Sequence, residues 1–360
     1  MDQVSVLKQQ LRPHIHWHGA RLHFLCLFLL ALLKVRTVNR PELSLAFGGT
    51  AQPASSYKRL QRFFRQFEWD ESSLTEMLLS ILNIPEPWGL SIDRTNWKLG
   101  KTNINILMLG VVYQGVAIPL LWHLLDKQGN SNTEERIDLL EKFLEQLGDH
   151  QIDYIVADRE FIGEDWFLYL LKYTSYRFCI RLKDNTKIGR GKTVSSAKVL
   201  FAHLKVGQTQ VLKNRRLIWG HYLYVSATRF PDRSFLLLAT PSKPKSALKD
   251  YANRWPIETL FGIFKSRGFR LEETHMTDPQ RLSKLLSLLA LALCWCLKSG
   301  EVQWGYHPLK PKKHGRLPKS LFRYGYDHLR QVCLNIDSQW QEYCKAVRLL
   351  TPSPQKIGGT

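Results

Sequence analysis

The sequence predicts an α/β fold: a mixed sheet core, an α-helical region before it, and a β-rich insertion inside it. Two observations carry that expectation. From Trp88 the apolar pattern reads strand–strand–strand–helix–strand–helix–strand. From about Lys183 to Pro241 it changes to short strands between turns, then returns to helix. The expected divisions are a helical region over residues 1–85, a first part of the core over 86–183, the insertion over 184–242, a last part of the core over 243–300, and a basic tail over 301–360.

Each element has a local reason. The first region alternates apolar runs with breaks at Pro41, Gly48–Gly49 and Pro53. Within it, SSYKRLQRFFRQF (Ser55 to Phe67) follows a serine cap with basic residues interleaved with aromatics. GLSIDRT and INILMLGVVYQGVAIPLLW read as three strands, with a hairpin turn near Gln114–Gly115. SNTEERIDLLEKFLEQLG opens polar, carries Glu in its first turn, spaces its apolar residues helically and stops at Gly148. DYIVADREF is a short apolar strand ending in charge, EDWFLYLLKY a helix and YRFCIRLK a strand. In the insertion the strands are TVSSAKVLF, QTQVLKNRRLIWG, HYLYVSATRF and SFLLLATP. KSALKDYANRW, a helix opened by Pro256 and an apolar helix near 281–298 complete the core.

The formal net charge of +20 and the pI near 9.7 exceed what solubility needs and imply a polyanionic partner. The apolar runs FLCLFLLALL (Phe24 to Leu33) and LLSLLALALCWCL (Leu285 to Leu297) fall short of the roughly 18–20 residues that span a bilayer. They read as buried core helices, which turns the expectation from a membrane to nucleic acid. The first run begins behind HIHWHGARLH, too late for a secretory signal, so the expected compartment is the cytoplasm. The six cysteines are scattered without a C-x-x-C pair and read as reduced core residues. For Ser55 to Phe67, a solvated face and a DNA-contacting helix both stay open.

Two aspartates share a setting: Asp93 follows LSI and Asp158 follows YIVA. If these runs are parallel neighbours, both carboxylates emerge on one rim of the sheet, where ligands of such sheets bind. Glu258 is the best third acid. In YANRWPIETLFGIFK (Tyr251 to Lys265), Ile257, Leu260, Phe261 and Phe264 gather on one stripe at 100° per residue. Glu258 and Lys265 fall on a neighbouring stripe, with Gly262 between them leaving room for a backbone to approach. That face would present a metal ligand and a phosphate-binding ammonium together. Arg254 could hold a phosphate bidentately and Tyr251 could donate to one. Three carboxylates suit Mg²⁺, a hard cation, and two such ions about 4 Å apart can stabilise both oxygens of an in-line phosphoryl displacement. Glu160 could replace Asp158 as ligand, being two residues on along an extended segment. Arg159 would point to the other face, or to DNA from a turn.

The spacing Tyr251-x2-Arg254-x3-Glu258-x6-Lys265 resembles the Y-R-E-K signature of the bacterial insertion-sequence-four transposases, a branch of the DDE transposases. Asp93 in SIDRTNWK and Asp158 in VADREF resemble the family's two catalytic aspartates, with Glu258 as the third acid. The resemblance covers about 88–300. It implies an RNase H-like mixed sheet core with a β-rich insertion and an α-helical N-terminal region, residues 1–85 then being DNA-binding. It implies Mg²⁺-dependent cutting at transposon ends and joining of a 3′-hydroxyl into target DNA, with Asp93, Asp158 and Glu258 holding two Mg²⁺ ions (Mn²⁺ as a substitute). Tyr251, Arg254 and Lys265 would hold DNA phosphates. The implied partner is double-stranded DNA, both inverted-repeat ends and target, bound by a homodimer on paired ends, in the bacterial cytoplasm at the nucleoid. Some relatives stack a flipped base on a tryptophan of the insertion. Trp219, in LIWGHY, is the candidate, a contact worth roughly 1–3 kcal/mol, and a Trp on a sheet face is the alternative.

Other signals carry less. GRGKT (Gly189 to Thr193) fails as a phosphate loop, because the first glycine would fall at Thr186. His14, His16 and His18 alternate but have no evident acidic partner for a metal. Two other readings are a non-catalytic DNA-binding protein and an RNase H-like nuclease that cuts without strand transfer.

Overall fold

The computed structural model describes residues 2–49, 51–313, 315 and 317–352. Five helices come first: α1 (Gln3–Leu11), α2 (Gly19–Val35), α3 (Arg40–Ala46), α4 (Pro53–Gln66) and α5 (Glu71–Leu82). Then follow β1 (Trp88–Leu99), β2 (Thr102–Tyr113), β3 (Val116–Leu124), α6 (Thr133–Leu147), β4 (Ile152–Ala157), α7 (Glu164–Tyr173) and β5 (Arg177–Arg181). The insertion supplies β6 (Lys187–Arg190), β7 (Thr193–Ser196), a short α8 (Ala197–Leu200), β8 (Thr209–Val211), β9 (Arg216–Ile218), β10 (His221–Arg229) and β11 (Phe235–Thr240). The chain closes with α9 (Ala247–Ala252), α10 (Trp255–Gly262), α11 (Pro279–Tyr306), α12 (Leu321–Leu334) and α13 (Trp340–Arg348).

Two compact units result. The helical unit comprises Met1–Ile84, Leu99–Thr102 and Phe261–Thr360, and the sheet unit comprises Pro85–Lys98 and Asn103–Leu260.

In the sheet unit the strand order is β3-β2-β1-β4-β5-β11-β10-β9-β6-β7, with β8 beside β10. The first five positions, with β4 parallel to both β1 and β5, form an RNase H-like core. The β2–β3 hairpin turns at Gln114–Gly115, both at positive φ, the left-handed geometry a two-residue turn requires. Helix α6 starts at a capping box between Asn132 and Glu135, and Gly148 ends it. The insertion continues the same sheet, since β11 pairs antiparallel with β5. Its AKVL segment departs from the expected strand and makes the single turn α8.

In the helical unit the apolar runs become buried helices. Helix α2 is apolar nearly all round, and its run from Leu29 to Leu33 is at most 3% exposed. Helix α11 extends beyond its apolar run to 28 residues, long and apolar enough to cross a membrane, and 83% of its most apolar stretch is buried inside this unit. Helix α12 crosses it with backbones in contact. A Cβ at Gly325 would stand 1.9 Å from the Cys296 carbonyl oxygen, so only glycine fits there. What reads in sequence as a basic tail therefore holds two helices, and Tyr343 of α13 donates to the Gln3 carbonyl at 2.6 Å. All six cysteines are free, five of them buried.

Candidate functional site

The parallel pairing sets the site's frame. Ile92 of β1 is in register with Ala157 of β4, and Ala157 with Ile180 of β5. The next residue on each strand is Asp93, Asp158 and Arg181, so two carboxylates and a guanidinium form one row. Arg181 approaches Asp158 at 3.6 Å. Asp93 follows the last residue of β1 paired with β4, while β1 itself runs on to Leu99.

Helices α9 and α10 bring the rest. The Tyr251 hydroxyl donates to Asp158 Oδ1 at 3.2 Å. Arg254 Nη1 donates to Asp93 Oδ2 at 3.3 Å, and its Nη2 donates to Glu258 Oε1 at 2.6 Å. One guanidinium thus joins the first and third acids, and the tyrosine three residues before it holds the second. The Arg254 side chain is 4% exposed, Asp93 14% and Glu258 44%. Helix α9 is fastened to the sheet from below. Asp250 ion-pairs with the buried Arg177, which also meets Asp153 at 3.0 Å, and Ser246 donates to Asp250 at 2.7 Å. Beside that network, Ala247 and Tyr251 pack on Val156, Cys179 and Leu238.

Burial pushes the Asp93 carboxyl up to about 7, and the neighbouring Glu160 and Asp158 charges add to the rise. The Arg94 amide, donating at 2.7 Å, and Arg254 oppose it. Burial also lifts the Tyr251 phenol well above its ordinary range, keeping it a neutral donor. For Arg254, burial works against the charge, and Tyr251, Glu258 and Asp158 more than restore it. Its Nε has no partner among the described residues.

The donor chemistry suits a hard divalent cation: oxygen ligands only, with like charges pressing on a buried Asp93. Among the described residues no three histidine, cysteine or carboxylate side chains converge tightly enough to hold a metal together. Arg254 stands as the counter-charge between Asp93 and Glu258.

The other candidates fall as follows. Both oxygens of Glu160 are engaged by Arg94, at 3.3 Å each, so Asp158 rather than Glu160 faces Tyr251. Arg159 is exposed, in the turn closed by the Phe161 amide on the Asp158 carbonyl. Trp219 does not lie on a sheet face. It sits half-buried at the tip of the β9–β10 hairpin, at φ 43°, edge-on to Phe167 with ring centroids 5.5 Å apart. Lys265 belongs to the helical unit and pairs with Glu272 at 3.0 Å. A π-helical turn, Ile263–Arg267, replaces the α-helix there, so a count at 100° per residue from Glu258 does not carry to Lys265. The space over Gly262 is filled by the Arg267 guanidinium, which a Cβ would meet at 2.8 Å, and not by an approaching backbone. The sequence reading missed Arg181 and Arg94. Arg181 was legible in principle, one residue past a strand in the row of the two aspartates.

The chain matches the Transposase DDE domain family over residues 84–295, more than half its length. Among solved structures it is similar to a piggyBac transposase synaptic complex with hairpin DNA, at 13% identity and a TM-score of 0.46, covering 99% of this chain and 83% of that one. It is also similar to the Marinitoga piezophila Argonaute in complex with a 5′-OH guide RNA and target DNA, at 10% identity and a TM-score of 0.24, covering 64% and 37%. No curated protein matches it.

Proposed function

The chain belongs to the Transposase DDE domain family, and from that premise we propose that Asp93, Asp158 and Glu258 are its catalytic carboxylates. The observation that carries this is the gathering of all three acids by two neighbouring side chains: Arg254 bonds Asp93 and Glu258, and Tyr251, whose ring lies under the Arg254 guanidinium, bonds Asp158. The same spacing supports assignment to the insertion-sequence-four type, with its Y-R-E-K signature.

Asp93, Asp158 and Glu258 would hold the divalent cations, Mg²⁺ or Mn²⁺. A cation there supplies Lewis-acid stabilisation of the charge that develops in phosphoryl displacement. The chain's own groups do the rest. Tyr251 keeps one Asp158 oxygen oriented by hydrogen bonding. Arg254 fixes the rotamers of the first and third acids and offsets their charge. Arg159, exposed beside Asp158, would meet a DNA phosphate, and Trp219, at its hairpin tip, would meet a displaced base. Lys265 would reach DNA from the helical unit. Water attacks a phosphodiester at the element's end, releasing a 3′-hydroxyl. That hydroxyl then attacks a target phosphodiester, forming the new bond as the target strand's 3′-oxygen leaves. We read the working form as a homodimer on paired ends, at the nucleoid in the cytoplasm.

The test is incubation of duplex DNA carrying the element's ends with full-length protein and Mg²⁺. Nicked 3′-hydroxyl ends together with end–target joints are expected. Nicks without joints would make the chain a nuclease only, and neither product would make it a DNA-binding protein without catalysis.

A further inference from the structure

Helix α4 buries Ser56, Leu60, Phe63 and Phe64 and turns Lys58, Arg62 and Arg65 outward, at i, i+4 and i+7. Those three cations line a cavity of about 480 Å³ together with Arg40 of α3 and Arg281 from the first turn of α11. On the other side of Arg62 lies a second cavity of about 240 Å³, lined by Arg59 and by Arg21 of α2. Seven cations from four helices therefore flank one 14-residue helix that carries no acidic residue. Among the described residues no carboxylate lines either cavity; Arg281 meets Asp278 only at 4.0 Å, and the tighter pair beside the groove, Lys284 with Glu68 at 2.5 Å, involves none of the seven cations. The like charges oppose one another: burial lowers the Arg59 guanidinium, and Arg62 and Arg21 lower it further.

A folded protein that concentrates unbalanced charge in this way gains from a polyanion. From these observations we propose that this helical-unit groove is a second DNA contact, separate from the acids, that grips the phosphate backbone of duplex DNA. This rests on the reading of the chain as a DNA-acting protein. Lys58 to Arg65 spans about 10 Å of helix axis, which matches about three phosphates of one strand at 3.4 Å each. The aromatic residues of the segment decide against single strands. Phe63 and Phe64 are 1% exposed, Phe67 packs into a cluster with Trp17 and Trp69, and Tyr57 lies under Arg40, so none offers a base a free ring face. The same inward-turned rings leave α4 no apolar outer face to insert into lipid. Arg281 reaches this groove from beyond the sheet unit in sequence, so the contact is not confined to the first 85 residues.

The experiment is fluorescence anisotropy of the full-length protein on a duplex of arbitrary sequence, across a salt series. Each phosphate contact contributes about 0.9 to the slope of log K against log salt. The triple variant Lys58→Gln/Arg62→Gln/Arg65→Gln should flatten the slope by about 2 to 3, and Arg281→Gln by about 1. Binding to oligo(dT) should change far less than binding to duplex. Because these side chains repel each other, Arg62→Gln should melt at or above the wild-type temperature in low salt. An unchanged duplex slope would overturn the proposal. So would an equal loss on oligo(dT), a loss confined to phosphatidylglycerol vesicles, or a fall in melting temperature that accounts for the weaker binding. An unchanged slope with cleavage still dependent on the acids removes only the groove. A flattened slope with cleavage indifferent to the acids removes only the catalytic reading.

Discussion

Asp93→Asn is expected to slow end cleavage by about 10³-fold or more, at least about 4 kcal/mol at the transition state, while duplex binding stays within a factor of about 3. The amide keeps the shape of the carboxylate and its bond to Arg254 but loses the charge a divalent cation needs. It should not unfold the protein. The folded carboxyl titrates at about 7, above the unfolded value of about 3.9, so its ionisation opposes folding as pH rises between the two. Removing it abolishes that slope, and the variant should melt at or above wild type at pH 8. A variant that cleaves normally, or one that loses binding and cleavage together, would count against the assignment. Asp158→Ala and Glu258→Ala should behave alike in the cleavage assay.

Asp250→Ala is the change with the largest expected effect on stability, about 3 kcal/mol or more. Arg177 is 6% exposed on its side chain, and Asp250 is its buried partner, so substitution leaves it the more exposed Asp153 as carboxylate and a long 3.5 Å bond to the Ser246 hydroxyl. The residue next along the chain is Tyr251, so a loosened α9 should also weaken the hydrogen bond to Asp158 and slow cleavage. Urea denaturation measures the first effect. Asp250→Leu combined with Arg177→Met, which removes both charges, should recover most of the stability. A single-variant loss below about 1 kcal/mol would show that the pair does not anchor α9.

Much of this was legible in the chain because the signals were local. The hairpin at Gln114–Gly115, the capped α6 and the alternation of β4, α7 and β5 follow from turn chemistry and periodicity. That Asp93 and Asp158 share a rim needed only the premise that their strands are parallel neighbours, and they are. Three features were not readable. The first is the π-helical turn after Gly262, which breaks the angular count and sends Lys265 to Glu272. The second is the engagement of Arg254 with two carboxylates rather than with open solvent. Spacing gives a residue's face but not the partner that arrives from a strand 161 positions away. The third is the continuation of the core sheet into the insertion, because strand pairing across β5 and β11 depends on non-local contacts that short strands do not announce.

Calorimetric titration of Mn²⁺ into the full-length protein at pH 7.5 tests the central claim most directly, with wild type beside Asp93→Ala, Asp158→Ala and Glu258→Ala. Saturable binding in wild type, weakened at least about tenfold in each variant, is the predicted result. Equal binding by all four proteins would contradict the assignment of these acids as one metal-holding set.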